Sequence, residues 1–156
     1  MSEYRYLYPI DFDWVEIAGG VFYMGTDPIM STLTAFRGDE DEHPQHQVHL
    51  QRFFISATPI TNEQYLTFVR ATGHRRPGDW VNGVPHANRM KHPVAYVDWH
   101  DAQAFAEWCG ANLPSEAQWE KSARGDRGAI FPWGDNLPGE GFSNFNNIVG
   151  DTSPVN

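Results

Sequence analysis

Gln47-Val48-His49-Leu50-Gln51-Arg52-Phe53-Phe54-Ile55 and, a few residues on, Thr61-Asn62-Glu63-Gln64-Tyr65 mark the change of pattern that sets the fold class. The first run gathers β-branched and aromatic residues as strands do. The second has the form of a capping box: the Thr61 hydroxyl can accept the amide N–H of Gln64, whose side chain can reach back. Behind it Tyr65, Phe68, Val69 and Thr72 recur at spacings of three and four, and Gly73 provides a stop. A strand is thus followed by a short amphipathic helix.

Working outward, Trp14-Val15-Glu16-Ile17 alternates up to Gly19-Gly20, and Val21-Phe22-Tyr23-Met24 follows, ending at Gly25. This pattern predicts two short strands joined by a tight glycine turn. Residues 26–46 are polar and irregular and hold the acidic run Asp39-Glu40-Asp41-Glu42. On the other side, a long loop over 74–92 contains Arg75, Arg76 and Trp80, and Val94-Ala95-Tyr96-Val97 reads as a short strand. Asp98 is a good N-cap for a second helix with Trp99, Ala102, Phe105, Ala106 and Cys109 on one face, ending at Gly110. Pro114-Ser115-Glu116-Ala117-Gln118 opens a third helix with a capping box from Ser115 to Gln118, running to about Arg124-Gly125. Phe131-Pro132-Trp133-Gly134 and the Asn-rich stretch 144–147 read as ordered coil. The expected architecture is α+β, with short strands, three short helices and long loops, in one domain over 13–156 after a lead-in at 1–12.

Composition narrows the function classes. The 156 residues are 40% hydrophobic and 14% aromatic, enough to build a core, while 14 Gly and 11 Pro require many turns. A formal net charge of −9 offers no basic face for a phosphate backbone, so nucleic acid is not an expected partner. No apolar window is long enough for a membrane helix, and the N-terminus has neither the basic nor the apolar region of a secretory signal. Cys109 is the only cysteine, so no intrachain disulfide can form. The expectation is a soluble cytoplasmic protein.

Several residues invite a site reading. His43, His46 and His49 recur every third position, but three extended residues span roughly 10 Å, which favours a solvated loop and strand face over a shared metal. Asp39 to Glu42 could hold a hard cation but lacks the glycine and spacing of a calcium loop, so a solvated loop is favoured. Trp80, beside Arg75 and Arg76 in the long loop, is the expected surface contact for a ligand or partner. Trp14, Trp99, Trp108, Trp119 and Trp133 read as core or loop anchors. His92 before Pro93 reads as a loop hydrogen-bonding residue, and Glu116 and Glu120 as structural partners for Arg124 or Lys121.

The ordered set Trp14 to Gly25, Pro59-Ile60-Thr61-Asn62-Glu63-Gln64-Tyr65, His92-Pro93-Val94 through Trp99-His100-Asp101-Ala102, Leu113 to Glu120, Ala123-Arg124-Gly125 and Phe131 to Gly134 resembles the formylglycine-generating-enzyme (sulfatase-modifying factor) family. The resemblance covers residues 13 to about 155. It implies a fold related to C-type lectins, and enzymes that oxidise a protein cysteine to formylglycine with a cysteine pair and copper. It also implies that the family domain continues past Ser153-Pro154-Val155 to those cysteines, so this chain corresponds to the N-terminal portion. A C-terminal segment, a second polypeptide or another copy would then complete it, with a protein or peptide as substrate. Copper needs two sulfur ligands, and Cys109 reads as a buried, inert thiol. The resemblance further implies a calcium site in which the Asn144 side chain and the Phe145 carbonyl are ligands, with Asp151 as a further one; an asparagine-stabilised turn is the other reading. The alternative function is a non-catalytic lectin-like binding module using the loops around 26–46 and 74–92. An iron oxidase resembling the sulfoxide synthases ranks last, because no histidine triad has convincing spacing.

Overall fold

The structure is a computed structural model that describes residues 9–27, 42–136, 141–144 and 149–155. Among the described residues there are four strands: β1 (Trp14–Ile17), β2 (Gly20–Met24), β3 (His46–Leu50) and β4 (Phe53–Ser56). The described helices are α1 (Asn62–Thr72), α2 (Trp99–Trp108) and α3 (Glu116–Arg124), with a 3-10 turn at Ala87–Arg89 between α1 and α2. All three helices begin at capping boxes. Thr61 accepts from the Gln64 amide, Asp98 from the Asp101 amide and Ser115 from the Gln118 amide, and each partner side chain accepts the cap's own N–H.

The strands at 14–17 and 20–24 lie where the alternation predicts them, but they do not form a hairpin with each other. β1 pairs with β4, and β2 pairs antiparallel with β3, with Phe22 opposite Val48. The cause lies at Gly19, where an added Cβ would stand 2.8 Å from the Arg52 backbone nitrogen. The backbones cross too closely there for any side chain, and the chain passes from one sheet to the other. The run 47–55 is likewise split between β3 and β4. Val94 to Val97 forms no strand: only Pro93 makes a bridge, to Thr61, and Tyr96 turns to φ 56°.

The described backbone groups into two compact units, residues 9–14, 56–113, 144 and 149–155 in the first and 15–27, 42–55, 114–136 and 141–143 in the second. In the first, α1 buries Tyr65, Leu66, Phe68 and Val69, and α2 contributes Phe105 with Cys109 at its C-cap. Tyr65 stacks on Phe105 with centroids 5.6 Å apart, and Phe68 meets Phe105 edge-on at 5.5 Å. In the second unit, β2 buries Phe22 completely, and Lys121 of α3 is 3% exposed. Its Nζ donates to the Ala18 carbonyl at 2.9 Å and the Gly20 carbonyl at 3.3 Å, and pairs with Asp126 at 3.2 Å. Nζ also stands 5.8 Å from the Phe22 ring centroid, so the ring face and the carbonyls share the cation.

Candidate functional site

Trp80 is not at the surface. It is 8% exposed, and its Nε1 donates to Asn62 Oδ1 at 3.0 Å. Its ring meets Tyr65 edge-on at 6.2 Å. An aromatic with one polar atom is stable inside only when that atom is paired, and Asn62, the first residue of α1, supplies the partner. Asn62 was not singled out by the sequence pattern. It is 3% exposed and donates through Nδ2 to the carbonyls of Arg89 (3.0 Å), His92 (3.3 Å) and Pro93 (3.4 Å), pinning the loop to the start of α1. A buried-type aromatic in a loop, with an amide at a helix start, is the pattern that could have flagged the pair.

Arg75 reaches Asp98 at 2.9 Å and also pairs with Asp101. His74 Nε2 shares Asp101 Oδ1 at 2.9 Å. Burial alone would raise the Asp101 carboxyl, but the Asp98 amide, Arg75 and His74 outweigh it and hold the group at about 2. The hydrogen bonds that Arg75 donates to Asp101, and the charge of that carboxylate, raise the Arg75 guanidinium above its ordinary value. Burial first, then the Asp101 charge, pushes the Tyr65 hydroxyl up to about 12. Arg75 therefore braces the N-terminus of α2. Arg76 is exposed, its guanidinium lying over Gly83.

Cys109 is 1% exposed, and burial pushes its thiol up to about 11, which keeps it protonated and unreactive at neutral pH. A copper centre needs two thiolates, and the single buried thiol of this chain does not fit one. The structure brings Asn144 and Asp151 together: Asn144 Nδ2 donates to the Asp151 carbonyl at 2.7 Å and to Ser153 Oγ at 3.3 Å. The Asp151 carboxylate pairs with Arg89. Phe145 lies outside the described residues, as do Asp39, Glu40 and Asp41 of the acidic run. Among the described residues no three His, Cys, Asp or Glu side chains form a metal-holding group. His46 Nδ1 contacts the Pro44 carbonyl at 3.0 Å, and His49 stands opposite Val21 on the exposed side of its strand. His92 Nδ1 bonds Thr152 Oγ1 at 2.8 Å, as a loop-fastening histidine should.

In the second unit, a cleft of about 830 Å³ is lined by Thr26, Glu42, Trp119, Glu120, Arg124 and Arg127 among others. Its charged groups are mostly committed to one another. Glu120 Oε1 accepts from the Gly25 amide at 2.7 Å and from Arg124 at 2.6 Å. Arg124 also donates to the carbonyls of Gly25, Gly128 and Ala129, and Thr26 donates to Glu42 at 2.5 Å. Gly25 sits at φ 89° with its Cβ position blocked by the Glu42 carbonyl, so only glycine permits this close loop. Trp119, expected as an anchor, is 63% exposed at the cleft, and Trp99 is 62% exposed on α2. Trp133 does anchor its loop, stacked between Phe131 (5.1 Å) and Phe142 (5.3 Å) with Nε1 on the Asn136 carbonyl.

Short strands, three capped helices and long loops pinned by side chains define an α+β domain of the formylglycine-generating-enzyme-like fold. The chain belongs to the sulfatase-modifying factor enzyme 1-like domain family, whose family model matches residues 12–154. It is 35% identical to the formylglycine-generating enzyme of Thermomonospora curvata, over 81% of this chain and 54% of that one. It is 31% identical to the serine/threonine-protein kinase pkn1 of Chlamydia caviae, over 94% of this chain and 24% of the kinase. Among solved structures, PvdO from Pseudomonas aeruginosa superposes with a TM-score of 0.60 at 26% identity, covering 85% of this chain and 53% of that one. The chain thus spans about half or less of the length of these relatives. No helix among the described residues is long and apolar enough to cross a membrane.

Proposed function

We propose that this chain is the N-terminal portion of a formylglycine-generating-enzyme-like unit, acting on a protein or peptide cysteine in the cytoplasm, whose reactive cysteines are supplied by other residues. The supply would be a further segment, a second polypeptide or a second copy. The observation that carries the reading is Cys109: the one thiol of these 156 residues is 1% exposed and held protonated by burial, inside a domain of this family. Its role is packing, and the chain contributes scaffold rather than thiolate. Calcium belongs to the same proposal, with the Asn144 side chain and Phe145 carbonyl as ligands. Asp151 would join only by leaving Arg89. A higher melting midpoint in millimolar calcium than in chelator supports that part, and an unchanged midpoint removes it.

The test is native mass spectrometry of the purified protein together with a copper-dependent formylglycine assay on a cysteine peptide. The chain alone should be inactive, and activity should appear with a companion segment that carries a cysteine pair. Turnover by the chain alone, surviving Cys109→Ala, would overturn the proposal. A well-folded chain that never takes a companion favours the second reading, a binding module. The cleft with exposed Trp119 supports that one, since an unshielded indole over charged groups suits a partner surface.

A further inference from the structure

Helix α3 turns two different faces to its surroundings. Lys121 packs over Phe22 and donates to the Ala18 and Gly20 carbonyls. Trp119, two positions earlier and so on the opposite side of a helix with 3.6 residues per turn, stands 63% exposed in the wall of the cleft of about 830 Å³. Glu116 lines the same wall, three residues before Trp119 and adjacent to it on the helix surface. The sequence pattern pairs Glu116 with Arg124 or Lys121, but Glu120 takes Arg124 and Asp126 takes Lys121. Glu116 is left exposed, with no hydrogen-bond or ion-pair partner among the described residues. A large open indole and an uncommitted carboxylate therefore stand side by side in the wall of a cleft.

The charges of the lining decide what fits there. Five carboxylates, those of Asp27, Glu42, Glu116, Glu120 and Asp135, meet two guanidiniums, those of Arg124 and Arg127. The Glu120–Arg124 pair is mostly covered and cancels itself, so the other four carboxylates have Arg127 alone against them, an excess of three negative charges. An anionic occupant is repelled by that balance. A metal ion needs several side-chain ligands converging on one point, and no three His, Cys, Asp or Glu side chains among the described residues do so. An organic cation needs no such convergence: it lies over the face of an indole, and a carboxylate beside the ring adds a charge-assisted hydrogen bond. The cleft is at the large end of ligand sites, with room for more than one side chain. That volume suits a short stretch of polypeptide carrying lysine or arginine better than an isolated amine.

We propose that this cleft docks a basic polypeptide segment, with a lysine or arginine side chain over Trp119 and against Glu116. The proposal rests on the binding-module reading of the same cleft and names the chemistry of the partner; its test needs no turnover. The isotope-labelled chain is titrated with three acetylated and amidated pentapeptides: Gly-Lys-Gly-Arg-Gly, Gly-Gln-Gly-Gln-Gly and Gly-Glu-Gly-Glu-Gly. NMR follows the Trp119 indole N–H and the amides of Glu116 and Gly128, with the indole of buried Trp80 as internal control. Saturable shifts are expected with the cationic peptide, binding at least about fivefold weaker with the neutral one, and none with the acidic one. Raising salt from about 0.05 to about 0.5 M should weaken the cationic peptide at least about threefold, because charges this exposed are screened. Trp119→Ala and Glu116→Gln should each weaken it by at least about threefold. Both side chains are exposed, so the Trp80 signal and the melting midpoint should stay in place; the peptide series and the salt series need no variant at all. No saturable shift with the cationic peptide, or binding left unchanged by salt or by either substitution, overturns the proposal. Equal binding of the three peptides at the cleft also overturns it, yet leaves the cleft a partner surface. Silence toward all three removes the proposal together with the cleft's support for a binding module.

Discussion

The two units of the chain are held together by different means. Residues 56–113 gather Tyr65, Phe68, Trp80 and Phe105 into an aromatic cluster, and their buried polar atoms mostly serve to fasten loops to it. The β2–β3 ribbon and α3 of the second unit have one fully buried aromatic, Phe22, and around it polar groups do the holding: Lys121 on two carbonyls and Arg124 on three more. Burying a ring removes a large apolar area from water and depends little on direction. Burying a cation is tolerable only if carbonyls and a carboxylate stand at hydrogen-bonding distance, so the second unit depends on a few exact geometries. One unit therefore resembles an ordinary core, and the other a set of turns tied to basic side chains.

The contrast is sharpest under truncation. Phe68→Ala should cost about 3–5 kcal/mol, because it empties space against Tyr65, Phe105 and Trp108 that the cluster can only partly refill. Denaturant unfolding measures it, with amide exchange in α1 and α2 rising first. A loss below about 1 kcal/mol would mean that the aromatic cluster is not what holds the first unit. Lys121→Met keeps the apolar stem and deletes the ammonium, leaving the Ala18 and Gly20 carbonyls without their donor. The expected cost is roughly 1–3 kcal/mol, with faster exchange confined to β2 and α3. A neutral or stabilising Met would break the comparison, showing that the second unit is as apolar in character as the first.

The smallest effect concerns acid. Asp101 is held at about 2 against an ordinary 3.8, so its contribution is complete above pH about 4 and is lost as pH falls through 2. With Arg75 well exposed to solvent, that contribution is on the order of 1 kcal/mol. Wild type and Asp101→Asn should differ in melting midpoint at pH 5 and converge toward pH 2. A gap that persists at pH 2 would show that Asp101 acts through shape rather than charge.

Local chemistry was legible where the needed partners lie within a few residues. The three capping boxes pair residues three apart, so Thr61, Asp98 and Ser115 declared their helices in the sequence, and Gly73 declared the end of α1, where its left-handed φ of 73° is observed. The pairing of Glu120 with Arg124 was legible for the same reason, since the two stand one helical turn apart. Trp80, Trp99 and Trp119 show the opposite. An indole in a loop beside two arginines looks like a contact residue until Asn62, eighteen positions away, offers a partner for its Nε1. An indole on a helix looks like core until the facing side turns out to be solvent.

What the sequence by itself determined is the α+β class, the positions of the helices, the family and the presence of one cysteine, because periodicity, capping and motif order are properties of neighbouring residues. Only the tertiary structure decided which strands pair, since Gly19 must pass the Arg52 backbone before β1 and β2 can separate into different sheets. It alone decided that Trp80 is inside and that Asp101 carries Arg75 and His74. Each of these depends on which distant groups share a small volume, and therefore on the loss of water around them, which no local pattern records.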